Sequence, residues 1–292
     1  MSQTRQPGRD AIVVTGASTG IGRACALRLT RLGYRVFAGV RRAEDGEALG
    51  KVAGPSLVPL LIDITEEDSI LGAVQVVADA VGNAGLAGLV NNAGIAVAGP
   101  LEFLPVEALR TQLEVNVIGQ MAVTRAFLPL IRQGKGRIVN VGSISGRLAF
   151  PLLGPYCASK FALEALTASL LMELAPWSIH VALIEPGGIS TPIWDKALAA
   201  GDALQNSLPE EAEERYGRLI GEQRRRAMRS SQTGLAPQAV ARSVAHALTA
   251  QKPRTRYIMG RSAHLGEVLR LVPEGLRERL ILSRLNKGGR RN

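Results

Sequence analysis

The chain has 292 residues, 46% of them hydrophobic, and a formal charge of +10. No apolar run approaches the ~18 residues of a membrane-spanning helix, and the polar stretch Met1–Asp10 lacks a signal-peptide core, so a soluble, cytoplasmic protein is expected. Two distant cysteines, Cys25 and Cys157, and three scattered histidines argue against a disulfide framework or a histidine-based metal centre.

Along the chain, β-rich apolar runs alternate with helical periods. Ala11–Thr15 reads as a strand, Gly20–Leu32 as a helix ending at Gly33, and Tyr34–Val40 and Leu57–Ile62 as strands. A helix follows from about Glu66, then a strand over Leu86–Val90, a long helix over Pro105–Ile131 and a strand over Arg137–Val141. Tyr156–Leu174 reads as a helix, and Ile179–Ile184 and Thr255–Met259 as the last two strands. Continuous apolar strands suit a sheet buried on both faces. Repeated β-α units predict an α/β fold with a doubly wound parallel sheet of about seven strands and helices on both sides.

One domain is expected, with its core at about 10–192 and 235–260. The polar, helix-prone stretch 192–234 has no strand and could cover a site as a substrate lid. Residues 261–286 carry two amphipathic stretches, and 287–292 read as a loose basic tail. Positive charge gathers in Arg224–Arg226 with Arg229, and again from Arg277 to Arg291. With only 4% aromatic residues and no stacking side chains among these runs, nucleic acid is not expected as a partner. A basic amphipathic helix keeps a weak membrane-surface contact among the expectations.

The first strand runs into "VVTGASTGIG", where Gly16, Gly20 and Gly22 clear side chains from a strand-to-helix turn. Such a turn is either simply tight or a cradle for phosphate, because N–H groups at a helix start lack partners and favour an anion. Ser18 and Thr19 add hydroxyl donors, and the spacing differs from G-x-G-x-x-G. Tyr156 and Lys160, four apart at a helix start, share one face. A phenol titrates near ~10, and a neighbouring ammonium would lower that value, making the pair a workable acid/base. Ser143 ends a strand at the sheet edge where ligands bind and could polarise a substrate oxygen; "GSISG" has Ile144 at its centre and is no hydrolase elbow.

The ordered set Thr15-Gly16-x-x-x-Gly20-x-Gly22, Asp63, Asn91-Asn92-Ala93-Gly94, Asn116, Ser143, Tyr156-x-x-x-Lys160 and Pro186-Gly187 resembles the short-chain dehydrogenase/reductase family. The resemblance spans about residues 11–192 and implies a Rossmann fold, a nicotinamide dinucleotide and hydride transfer between a hydroxyl and a carbonyl. It implies catalytic roles for Asn116, Ser143, Tyr156 and Lys160, with Asn116 relaying protons through water to Lys160, and it implies that Tyr156 and Lys160 also contact the cofactor, Lys160 at the nicotinamide ribose hydroxyls. It implies cofactor contacts at Gly16, Ser18, Thr19, Gly20, Ile21 and Gly22, and at Ile64, Ala93 and Gly94. Pro186, Gly187, Ile189 and Thr191 are implied at the nicotinamide end, Asn91 near the adenine ribose and as a brace for the fourth strand, and Asp63 at the adenine amino group. Asp63 could instead cap the following helix, a job Thr65 fits as well.

The second strand ends "AGVRR", without the acidic residue of NAD-specific relatives, so Arg41 and Arg42 favour NADP(H) over NAD(H). "YCASKFALEALTASLLMEL", "VALIEPGGIST" and "PRTRYIMG" look most like the retinol and 17β-hydroxysteroid dehydrogenase branch. A lipophilic small-molecule substrate is expected, with Leu148, Phe150, Leu152, Leu153 and Trp194 as an apolar wall. The alternatives are a 3-oxoacyl thioester or small-ketone reductase, or a non-catalytic NADP(H) sensor. The resemblance also implies a homodimer or homotetramer.

Overall fold

Residues of the apolar runs alternate between two hydrophobic layers, and this makes them strands. In β1 (Ala11–Val14), Ile12 and Val14 pack into one layer while Ala11 and Val13 pack into the other. The same two-sided burial holds along β2 (Arg35–Val40), β4 (Leu86–Asn91), β5 (Arg137–Val141) and β6 (His180–Pro186), whereas the edge strands β3 (Leu57–Leu61) and β7 (Arg256–Met259) are only partly buried. The computed structural model describes residues 10–205 and 209–287. Its seven strands form one parallel sheet in the order β3-β2-β1-β4-β5-β6-β7. Strand order reverses between β1 and β4, the switch point at which a doubly wound sheet opens a crevice at its carboxyl edge.

One layer is covered by α1 (Gly20–Arg31), α2 (Ala43–Ala53) and α9 (Pro237–Thr249). The opposite layer is covered by α3 (Glu67–Val81), α5 (Gln120–Gln133) and α6 (Gly154–Leu174). Helix α2 and helix α9 were not among the expected elements. Gly46 and Gly50 disguise α2 by propensity, yet a Cβ on Gly46 would stand 2.7 Å from Pro59 Cβ, so the glycine permits α2 to lie on β3.

The single long helix expected over Pro105–Ile131 is interrupted. It comprises α4 (Val106–Leu113), a π-helical turn over Glu114–Gly119, and α5. The expected lid region forms α7 (Pro192–Gln205) and α8 (Glu210–Thr233), beyond the carboxyl end of β6. The two amphipathic stretches are α10 (Arg261–Arg270) and α11 (Glu274–Lys287). Apart from Lys287, the basic tail lies outside the described residues, as do residues 1–9.

Phe127 is fully buried between α5 and the sheet. Phe127→Ala should cost about 3–5 kcal/mol of unfolding free energy in a denaturant titration, whereas Leu101→Ala, at a 68% exposed side chain, should change it by under about 0.5 kcal/mol.

Candidate active site

A cleft of ≈ 1400 Å³ runs along the carboxyl edge of the sheet. Gly16, Ser18, Thr19, Gly20 and Ile21 line one end, and Ser143, Tyr156, Lys160, Pro186, Gly187, Ile189 and Thr191 line the other. Gly16 takes φ 63°, and a Cβ there would lie 2.8 Å from Ala93 Cα, so no side chain fits between turn and strand. Gly22 is buried beneath the turn rather than facing the cleft. Thr19 stands at the N-cap of α1 without a side-chain cap, and the first turn contains no acidic residue. The first N–H groups of α1 therefore present a positive helix end to the cleft, which fits a dinucleotide pyrophosphate.

Asn92, part of the signature set but given no role from sequence, holds this turn from behind. Its Nδ2 donates to Thr15 O at 2.9 Å and to Gly16 O at 3.1 Å. Thr15 Oγ1 in turn accepts the N–H groups of Asn92 and Ala93. Asn91, expected near the adenine ribose and as a brace for the fourth strand, does brace it, and its side chain points into the interior, donating to Thr124 Oγ1 at 2.7 Å and Asn140 Oδ1 at 2.9 Å. It braces β4 against β5 and α5, and leaves the cleft to Ala93 and Gly94.

The irregular segment after β4 has backbone groups that no strand satisfies, and a ladder of amides supplies the partners. Gln112 accepts from Val97 N at 2.7 Å and donates to Ile95 O at 3.0 Å. Asn116 accepts from Ile95 N at 2.9 Å and donates to Ile95 O and Ser159 Oγ. Gln120 donates to Ala93 O at 2.8 Å. All three are buried, and their spacing of four residues in "QLEVNVIGQ" is a signal the sequence carried. The π turn places Asn116 against Ile95, so its side chain fixes the cleft wall and makes no contact with Lys160. The Asn116 side chain is thus engaged by the Ile95 backbone and by Ser159 Oγ, and a relay to Lys160 would run through water rather than through direct contact.

Tyr156 and Lys160 occupy the first turns of α6, whose start is set by Pro155 in the first turn. Ser143 caps a short 3₁₀ turn over Ile144–Gly146, accepting from Ser145 N at 3.1 Å, and its hydroxyl hydrogen-bonds the Tyr156 phenol. Lys160 Nζ donates to Val141 O at 2.9 Å and lies 5.8 Å from the centroid of the Tyr156 ring. Burial raises the phenol pKa to about 12 against the opposing pull of Ser143, with Cys157 adding a smaller rise. Burial also lowers the Lys160 ammonium to about 8. The depressed phenol pKa expected from the Y-x-x-x-K spacing is therefore not found in the protein alone. Desolvation outweighs the ammonium, which is drawn away to a carbonyl.

At the far end of the cleft, Arg42 is bound by Asp45 through two hydrogen bonds of 3.0 and 2.9 Å. Arg41 lines the cleft and makes no ion pair with a described residue, so it is the available guanidinium. Asp63 Oδ1 accepts from Thr65 N at 3.0 Å and Thr65 Oγ1 at 2.7 Å. Burial would raise its pKa, but the two Thr65 bonds, with the nearby Arg41 charge, prevail and lower it. The N-cap of α3 is Glu66, without a side-chain cap, so Thr65 closes a turn with Asp63 instead of capping the helix. Asp63 and Ile64 still line the cleft.

Beside Tyr156 lies a second, narrow apolar pocket of ≈ 70 Å³. Leu152, Leu153, Trp194, Ala197, Leu198, Ile220 and Ala227 line it, with Asp202, Gln223 and Arg224 also at its wall. Trp194 also lines the cleft and packs edge-on against Tyr156 with ring centroids 6.4 Å apart, so it stands between the two spaces. Leu152 holds φ 63°, strained for a branched side chain, while its carbonyl accepts Gly99 N at 2.8 Å. Of the expected wall, Leu148 packs against α10 and Phe150 does not line the pocket.

The Lys160 shift makes a prediction about stability. Its folded pKa lies below its unfolded one, so between about pH 8 and 10 the unfolded chain binds more protons, and this group favours the folded state increasingly as pH rises. From pH 7 to 10, the unfolding free energy of wild type relative to Lys160→Met should shift toward wild type by on the order of 2 kcal/mol.

The family model for the short chain dehydrogenase matches residues 10–201. The NADPH-dependent 3-dehydrocapnine reductase of Ornithobacterium rhinotracheale is 33% identical over 281 residues, covering 94% of this chain and 97% of that protein. Human retinol dehydrogenase 5 is 39% identical over 271 residues, covering 89% of this chain and 83% of its own. Among solved structures, a short chain dehydrogenase from Burkholderia cenocepacia J2315 in complex with NADP superimposes with TM-score 0.71 at 30% identity, covering 93% and 97% of the two chains. One from Burkholderia phymatum in complex with NAD gives TM-score 0.74 at 26% identity, covering 89% and 91%. With its parallel seven-stranded sheet and its match to the family over 10–201, the chain belongs to the short-chain dehydrogenase/reductase family, with a retinol dehydrogenase-like look, and is an oxidoreductase acting on CH–OH groups.

Proposed function

We propose that the chain is an NADP(H)-dependent enzyme that interconverts a carbonyl and a hydroxyl on a lipophilic small molecule such as a steroid, retinoid or fatty ketone. The observation that carries this reading is the meeting of Ser143, Tyr156 and Lys160 at the junction of a polar cleft and an apolar pocket. The nucleotide, when bound, supplies or accepts the hydride. The glycine turn with Ser18 and Thr19 would hold its pyrophosphate and Arg41 its 2′-phosphate, with Asp63 and Ile64 at the adenine and Pro186, Gly187, Ile189 and Thr191 near the nicotinamide.

In reduction, the Ser143 hydroxyl polarises the carbonyl oxygen while the Tyr156 Oη proton passes to the developing alkoxide. A phenol of pKa about 12 remains a sufficient acid for an alkoxide, which is far more basic. Lys160, still largely protonated at pH 7, supplies positive charge beside the phenolate left behind. In oxidation Tyr156 must first surrender its proton, which its buried setting opposes in the protein alone.

An apolar substrate body would pass Trp194 into the pocket under α7 and α8, which act as the lid. Two buried free thiols, Cys25 and Cys157, support a reducing, cytoplasmic setting. Among the described residues no helix is long and apolar enough to cross a membrane. The reading includes a homodimer or homotetramer packed through α4 to α6, where Ile118, Phe161 and Met172 leave apolar side chains exposed. The basic run in α8 is partly neutralised within the protein: Arg224 pairs with Asp202, and Arg225 and Arg226 with Glu222.

Stopped assays on steroids, retinoids, short ketones and acyl thioesters with NADPH and NADH test the assignment. Tyr156→Phe should retain NADPH binding while kcat falls about 10²–10⁴-fold. Arg41→Ala should raise the KM for NADPH about tenfold or more and leave that for NADH unchanged, whereas Arg42→Ala, removing an arginine already held by Asp45, should do less. Equal use of NADH and NADPH by wild type would overturn the NADP(H) reading.

A further inference from the structure

Five charged side chains gather behind the cleft and have no part in the chemistry above. Glu185, 1% exposed, immediately precedes Pro186 at the end of β6. Arg256 of β7 pairs with Glu185 and donates to Glu164 Oε1 of α6 at 2.9 Å. Arg147, four residues beyond Ser143, brings Nη1 to 3.6 Å from Glu185 Oε2 and Nε to 2.9 Å from Glu267 Oε1 of α10. With Arg270 Nε at 3.9 Å from Glu267 Oε2 on its exposed rim, the cluster balances three carboxylates with three guanidiniums. Its bonding is incomplete: Glu185 Oε1 lacks a hydrogen-bond partner, and the Arg147–Glu267 approach is an ion pair without hydrogen-bond alignment. Sequestering such charges is costly, and apolar packing would serve stability as well.

What the cluster touches gives it a use. Helix α10 lies against both loops that shape the reacting end of the cleft. Ser262 Oγ accepts Gly188 N at 3.2 Å, and a Cβ on Gly266 would stand 2.6 Å from Ile144 Cδ1 in the turn that Ser143 caps. On its other side this turn abuts α6, where a Cβ on Gly146 would stand 2.7 Å from Lys160 O. The Ser143 turn is therefore clamped between α6 and α10, and Arg147 fastens its far end.

We infer that Glu267, acting through Arg147, is a positioning residue for Ser143, so that the alignment of Ser143 with Tyr156 depends on a helix outside the family-matched residues 10–201. This rests on the proposed role of Ser143 and Tyr156 at a substrate carbonyl. The test uses two variants of the full chain. Glu267→Gln removes the charge and keeps the shape; Gly266→Ala pushes Ile144 and leaves every charge in place.

Both should lower carbonyl kcat about tenfold while the NADPH dissociation constant stays within twofold of wild type. Both should speed amide exchange at residues 144–148, and Glu267→Asp should recover part of kcat. Wild-type kcat and exchange in both variants would overturn the inference, as would a lowered Tm with kcat intact, which marks a purely structural cluster. A wild-type chain that reduces no carbonyl, or a Tyr156→Phe chain that still does, would sink the proposed function instead. The exchange measurement decides the Glu267 question in that case, because it needs no substrate.

Discussion

The site depends on one buried ammonium. Lys160 enters the sheet edge from the first turns of α6 and is held by the Val141 carbonyl, nearly buried in the wall of the cleft. An ammonium in that setting is poorly hydrated, so its pKa falls, and the nearby phenol, equally deprived of water, resists ionisation. Each shift favours its own group's neutral form. The protein alone therefore presents a protonated Tyr156 beside a lysine close to its own titration, a pair suited to giving a proton up toward the cleft.

The elements around the pair keep the backbone satisfied while leaving both side chains at the wall of the cleft. The sheet puts β4, β5 and β6 side by side in parallel, so their carboxyl ends deliver Ala93, Ser143 and Pro186 to one crevice. Irregular chain at that edge would leave peptide groups unbonded, and the amides of Gln112, Asn116, Gln120 and Asn92 take them up. Replacing any one of these with an apolar residue would strand a buried donor or acceptor, at a cost of about 1–3 kcal/mol. The π turn is part of the same solution, since it brings Asn116 to both polar groups of Ile95 at once.

Most of the architecture was legible because strands buried on both faces write themselves as apolar runs. β1, β2, β4, β5 and β6 appear within a residue or two of where Val, Ile and Leu cluster. Helix α2 was not, because the glycine that lets it lie on Pro59 also masks its helical pattern. The π turn was hidden for a different reason: it depends on a loop that sequence periodicity does not describe. Spacing correctly brought Tyr156, Lys160 and Ser143 together. It misjudged their ionisation, because the sign of a pKa shift is set by burial and by the reach of a single Nζ, neither of which spacing encodes. For Asn91 the motif revealed the brace on the fourth strand, while the inward direction of its amide toward Asn140 is a matter of packing.

Titration of Tyr156 itself tests the central claim most directly. The near-ultraviolet phenolate absorbance of the nucleotide-free protein, with Tyr156→Phe subtracted, isolates this one phenol. A buried phenol beside a lysine turned toward Val141 should show no ionisation below about pH 10. A transition near pH 8 or below would mean that the ammonium governs the phenol after all, and would contradict the account.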